Sequence, residues 1–179
     1  MGKKVLIVSA SPRKDGNSDT LCNQFSKGAV ESGNQVEKVF LKDKSINYCM
    51  GCGVCNSTHS CFQKDDMAEL LQKMIDSNVI VLATPVYFYT MNAQLKTFID
   101  RTVPRYTEIS NKEFYYILTA ADTDTSMLKK TVESIRGFTI DCLNNASEKG
   151  IVYGVGAWNV GEIKDTPAYQ QAYEMGRNV

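Results

Sequence analysis

Short apolar blocks alternate with one-sided helical stripes along the whole chain. Residues 5–8 and 79–82 are apolar at every position, as strands buried on both faces of a parallel sheet are. Residues 114–119 and 151–155 read as two further strands, and the more polar residues 36–41 as an edge strand. Helical segments lie between them. The first spans residues 19–32 and stops at Gly33. The second carries Met67, Leu70, Leu71, Met74 and Ile75 on one face, with Asp66 and Glu69 reading as a capping box. A short helix over 92–102 turns Leu95, Phe98 and Ile99 inward and ends before Pro104. A long helix is expected over 126–149, closing on Gly150 despite Gly137 inside it. Thr166 and Pro167 suit the start of a last helix ending near Gly176.

Strands alternating with helices predict an α/β domain whose sheet is covered on both faces. Five parallel strands in the doubly wound order 2-1-3-4-5 give a flavodoxin-like three-layer sandwich. No repeat, low-complexity run or linker divides the 179 residues. A single domain is expected over 1–179, with a cysteine-rich insertion at 47–63.

Composition narrows the partners. Hydrophobic residues make up 43% and charged residues 22%, ordinary for a globular enzyme. Basic and acidic residues balance at 20 each, which leaves no field to hold nucleic acid. No apolar stretch approaches the roughly 20 residues of a membrane span. The apolar run near the start is too short for a signal-peptide core, so a cytoplasmic location is expected. Six cysteines in a reducing compartment point to metal or redox chemistry, or to plain burial, before disulfides.

The loop after the first strand suits an anion. Ser9, Ser11 and Ser18 offer hydroxyls, Asn17 an amide and Arg13 a guanidinium, and a following helix would aim its free N–H groups at the same spot. A solvated loop with a serine cap is the plainer alternative. The P-loop pattern and a G-x-G-x-x-G after the first strand are both absent. Ser9 stands where a phosphoacceptor domain would need acidic residues. Across the crevice, Pro85, Val86, Tyr87, Phe88 and Tyr89 follow the third strand. They suit the edge of a planar ring system, or else fill a helix–sheet junction or a subunit contact. Together the two loops favour a phosphorylated planar ligand.

Cys49, Cys52, Cys55 and Cys61 follow the pattern C-x2-C-x2-C-x5-C. One loop so spaced can wrap a [4Fe-4S] cubane, each thiolate reaching a different iron. Structural zinc, usually held by two separated knuckles, is an alternative, and free or reversibly oxidised thiols are another. Gly51 and Gly53 supply backbone freedom there. His59, the lone histidine, reads as an exposed loop residue, and Cys22 and Cys142 as buried packing residues within helices. No nucleophile–base pair emerges, and a helix N-terminus accounts for Asp65 and Asp66.

The run S-P-R-K-x-G-N-S, the four-cysteine segment, and T-P-V-Y-F followed by L-K-T-F-I-D-R together resemble the NADPH-dependent FMN reductase superfamily. The similarity runs over residues 5–101, is greatest to the branch containing the iron–sulfur flavoproteins, and weakens beyond residue 119. Ala10 and the acidic residues 121–125 depart from the family pattern. The resemblance implies that Ser9, Ser11, Arg13, Asn17 and Ser18 surround the FMN phosphate. It also implies that Pro85, Val86, Tyr87 and Phe88 border the isoalloxazine, and that a homodimer completes the pocket. The implied activity is hydride transfer from NAD(P)H to flavin, then to a quinone, a nitro compound or free flavin. Electron relay between a cluster and FMN, with a ferredoxin-type partner, is the alternative. A flavin-free module with a zinc-held interaction surface is a third.

Overall fold

The structure, a computed structural model, describes residues 2–179. Strands Lys4–Ser9 (β1), Gln35–Phe40 (β2), Val79–Tyr87 (β3), Glu113–Thr119 (β5) and Ser147–Gly154 (β6) form a parallel sheet. Their order is β2-β1-β3-β5-β6, and the two-residue strand Thr90–Met91 (β4) pairs antiparallel with the end of β3. With β4 set aside this is the expected 2-1-3-4-5 order, and the fold is flavodoxin-like. The helices are Asn17–Glu31 (α1), Cys55–Thr58 (α2), Met67–Asp76 (α3), Ala93–Asp100 (α4), Lys129–Thr139 (α5) and Pro167–Arg177 (α6).

Strand alternation builds both cores. Val5, Ile7, Val79, Val81 and Ile117 point to one side, where they meet Leu21, Phe25 and Ala172 of α1 and α6. Leu6, Val8, Ile80, Leu82 and Tyr116 point to the other, against Leu70, Met74, Leu95, Phe98 and Ile135 of α3, α4 and α5. A period-two strand with both faces apolar can be buried only between two helical layers. Helices α1 and α6 touch backbone to backbone: a Cβ on Gly28 would stand 2.2 Å from the Tyr173 carbonyl oxygen, and one on Gly176 2.1 Å from that of Phe25. Glycine is required at both positions by this approach.

Three expectations need correction. The long helix over 126–149 ends at Thr139. Leu143 and a turn with Asn145 at φ 52° follow, and Ser147–Gly154 joins the sheet beside β5. The edge of β5 captures this charged segment, overriding its helical propensity. Cys142 therefore lies in a turn and is exposed rather than buried in a helix. The capping box does not form: Asp66 accepts from the Ser45 N–H at 2.7 Å, while Asp65 accepts from the Met67 N–H at 3.2 Å.

Candidate functional site

The carboxyl ends of β1, β3, β5 and β6 open on one cleft. Seven of the nine residues picked out for a ligand line it: Ser11, Arg13, Asn17, Ser18, Pro85, Val86 and Tyr87. Ser9 does not; it is wholly buried at the end of β1, its hydroxyl without a partner. Phe88 does not either; it is 98% exposed at a turn tip. Thr119, Ala120, Ala121, Ala157 and Trp158 complete the wall.

The loop leading into α1 is shaped by its own hydrogen bonds. Ser11 donates to the Arg13 carbonyl at 2.9 Å and accepts from the Arg13 N–H at 3.2 Å. A Cβ on Gly16 would come within 3.0 Å of that same carbonyl, so the turn and the helix start are packed closely. Gly16 is the N-cap and provides no side-chain cap. The first bond of the helix runs from the Thr20 N–H to the Gly16 carbonyl. The amides of Asn17, Ser18 and Asp19 are left facing outward from the N-terminus, where an anion is favoured. The side chain of Asn17 is engaged elsewhere: its amide donates to the Ala157 and Asn159 carbonyls at 3.1 Å and accepts from the Gly161 N–H. It ties the loop after β6 to the cleft. Ser18 is buried, its hydroxyl 2.6 Å from that of Thr119. Arg13 is exposed at the rim and, among the described residues, has no ion-pair partner. Cys22, just behind, is inert, because burial pushes its thiol up to about 12.

The opposite wall is the extended end of β3. Pro85, Val86 and Tyr87, expected in a loop, continue the strand, which turns back at Phe88 and Tyr89 into β4. Both turn residues take left-handed backbone, φ 48° and 64°, the pattern of a type I′ hairpin usually made by Asn-Gly. Holding two aromatics there costs roughly 1–2 kcal/mol each. Asn92, 1% exposed, joins the two walls. Its Nδ2 donates to the Ala10 carbonyl at 2.5 Å, and its Oδ1 accepts from the Leu95 N–H, capping α4. The sequence marks Asn92 as a helix start, a legible N-cap signal, whereas its reach to Ala10, 82 positions away, has no local signature. Thr119, at a strand end, carried none.

The four cysteines Cys49, Cys52, Cys55 and Cys61 line a second cavity of about 200 Å³, with Arg101, Val103 and Pro104 as its floor. Gly51 and Gly53 take positive φ there. Among the described residues, no three Cys, His, Asp or Glu side chains gather around a single point as one ion requires. His59 is exposed at the C-cap of α2. Arg101, 2% exposed, forks onto Asp65: Nη1 donates to Oδ2 at 2.7 Å and Nη2 to Oδ1 at 2.9 Å. Burial opposes ionisation of Asp65, but the Arg101 fork and the Asn47 and Met67 N–H groups hold its carboxyl below the usual range. Asp65 is thus the anchor of an ion pair, more than a helix-start residue. The carboxylate and guanidinium are 36 positions apart, too remote for local pattern to pair.

Residues 3–136 match the family model described as NADPH-dependent FMN reductase. An iron–sulfur flavoprotein of Archaeoglobus fulgidus is 45% identical over 101 residues, 56% of this chain and 46% of its own length. The iron–sulfur flavoprotein MJ1083 of Methanocaldococcus jannaschii is 40% identical over 101 residues, 56% and 52% of the two chains. The chain spans about half the length of the curated relatives it matches. Among solved structures, an NAD(P)H:quinone oxidoreductase from Methanothermobacter marburgensis superposes with a TM-score of 0.77 at 15% identity, covering 99% of this chain and 97% of that one.

Proposed function

This chain belongs to the NADPH-dependent FMN reductase family, and from that premise we propose that it binds FMN in the cleft and passes electrons from NAD(P)H to a small acceptor. The observation that carries the reading is the convergence of the Ser11–Ser18 turn, an uncapped helix N-terminus and the end of β3 on one cleft. The residues fit the cofactor. The amides of Asn17, Ser18 and Asp19 face an anion position that Gly16 leaves open, and Arg13 sits at its rim without a competing carboxylate. The backbone of Pro85, Val86 and Tyr87 would border the ring system, and Tyr87 is half-exposed there. Bound FMN would supply hydride acceptance and one- or two-electron release, while the protein supplies position and electrostatics. Ser18 and Thr119 hold each other's hydroxyls and fix the cleft floor. Asn17 fixes the loop carrying Trp158. A quinone, a nitro compound or free flavin fits the acceptor role, since the cleft is open and has no acid–base pair to restrict chemistry.

Arg13→Ala is the direct test of the phosphate position. FMN affinity measured by flavin fluorescence should fall about ten- to a hundred-fold, the worth of one charged hydrogen bond. Unchanged affinity would put the phosphate elsewhere.

A second element is favoured by the cysteine cavity. All four cysteines line one cavity, and their compact C-x2-C-x2-C-x5-C spacing suits a cubane whose thiolates each take a different iron better than structural zinc, which is more often held by two separated knuckles. In this reading Cys49, Cys52, Cys55 and Cys61 hold a [4Fe-4S] cluster, and a ferredoxin-type protein is the alternative electron partner. A homodimer is part of the same proposal, because Tyr87, Phe88, Trp158 and Val160 leave apolar area exposed around the cleft. Ile163 of the same segment is buried in the core and adds nothing to that area. One domain over 1–179 carries both elements. No helix among the described residues is long and apolar enough to cross a membrane.

A further inference from the structure

We propose that Arg101 is the positioning residue of the cysteine loop, closing it by a clasp on both of its ends and donating a hydrogen bond to the sulfur of Cys61. Arg101 follows α4 at the C-cap, and its guanidinium reaches three points of one loop. Nη1 donates to the Asn47 carbonyl at 2.6 Å, two residues before the first cysteine. Nη1 and Nη2 grip Asp65, four residues after the last. Nη2 also lies 3.5 Å from the Cys61 sulfur. Asp65 reinforces the closure by accepting from the Asn47 N–H at 3.1 Å. Asn47 and Asp65, eighteen positions apart, are thereby pinned together at the end of α4.

The chemistry is specific to arginine. A planar fork can serve a carboxylate, a carbonyl and a sulfur at once, whereas an ammonium is a point charge. Buried arginine is costly without a partner, and Asp65 neutralises it, so Cys61 meets an N–H dipole rather than a bare cation. Among the described residues, Cys61 is the cysteine of the four whose sulfur receives a side-chain N–H. Hydrogen bonds to the sulfurs are among the features that set a cluster's potential. This inference rests on the cluster reading above for its electronic part, whereas the clasp concerns the protein alone.

The test compares Arg101→Lys, Asp65→Asn and the double variant Arg101→Gln/Asp65→Asn, which removes both charges and so leaves none buried unpaired. In iron-free protein, amide exchange at Ser45, Asn47, Asp66 and Met67 should quicken about tenfold or more in Arg101→Lys and in the double variant, the factor for one charge-assisted hydrogen bond. Exchange in β1 and β3 should not change. In anaerobically reconstituted protein, the cluster's midpoint potential should fall in the double variant, which loses the bond to sulfur. It should rise in Asp65→Asn, which keeps that bond and loses the compensating negative charge. A merely structural role would move both in the same direction or neither. Wild-type exchange in Arg101→Lys and the double variant would overturn the clasp, and potentials moving together or not at all would overturn the bond to Cys61. If the wild-type protein takes up no iron, the cluster reading and the bond's electronic part fall, and the exchange rates alone decide the clasp.

Discussion

Asn92→Ala is expected to lower the unfolding free energy by about 2–4 kcal/mol, combining a lost helix cap with a buried carbonyl left without its donor. The side chain accepts from the Leu95 N–H and donates to the Ala10 carbonyl, so one residue closes α4 and binds the β3 side of the cleft to the β1 side. Thr84 takes part, its hydroxyl accepting from the Asn92 N–H at 3.1 Å. FMN affinity should drop by more than in Arg13→Ala, because both walls loosen together. Asn92→Ser separates the two roles: its hydroxyl retains a cap acceptor but is too short to reach the Ala10 carbonyl, so it should recover part of the stability but little of the affinity. Urea unfolding and flavin titration of the three proteins check this. An Asn92→Ala protein within 0.5 kcal/mol of wild type, inside the usual range for surface changes, would show that the bridge between the walls carries little.

The second large effect concerns the cysteines. Reconstituted without oxygen, the protein should hold about four iron and four sulfide per chain, the cubane stoichiometry, and Cys52→Ser should hold neither stably. FMN uptake should be unaffected, since no residue lining the cysteine cavity also lines the cleft. Equal iron and sulfide in the wild-type and Cys52→Ser proteins would remove the cluster from the account. The four cysteines would then be read as free or reversibly oxidised thiols.

Much of the fold was legible because its strands are apolar on both faces and its helices are one-sided. The runs around Ile7, Val81 and Tyr116 could be buried only inside a three-layer sandwich. The fifth parallel strand was placed too late because Ser147, Glu148 and Lys149 carry no strand signature; they are drawn in by the open edge of β5. The site was legible where the chemistry is local. The turn with Ser11 and Arg13, the aromatic end of β3 and the cysteine spacing each sit within a few residues of sequence. What stayed hidden are long-range joins: Ser18 to Thr119, Asn17 to the carbonyls of Ala157 and Asn159, Asn92 to Ala10, and Arg101 to Asp65. No periodicity or motif encodes a partner tens of residues away. The same cause misplaced Ser9: a serine at a strand end reads as a ligand donor, but the strand carries it below the cleft floor.

In the proposed function the cleft holds FMN and the bound flavin takes electrons from a nicotinamide. Anaerobic mixing of FMN-loaded protein with excess NADPH or NADH, followed by flavin absorbance, tests it most directly. The absorbance is expected to bleach rapidly with at least one of the two nicotinamides and to return when a quinone is added. Protein that takes up no FMN at micromolar concentration, or whose bound flavin stays oxidised with both nicotinamides, would contradict it.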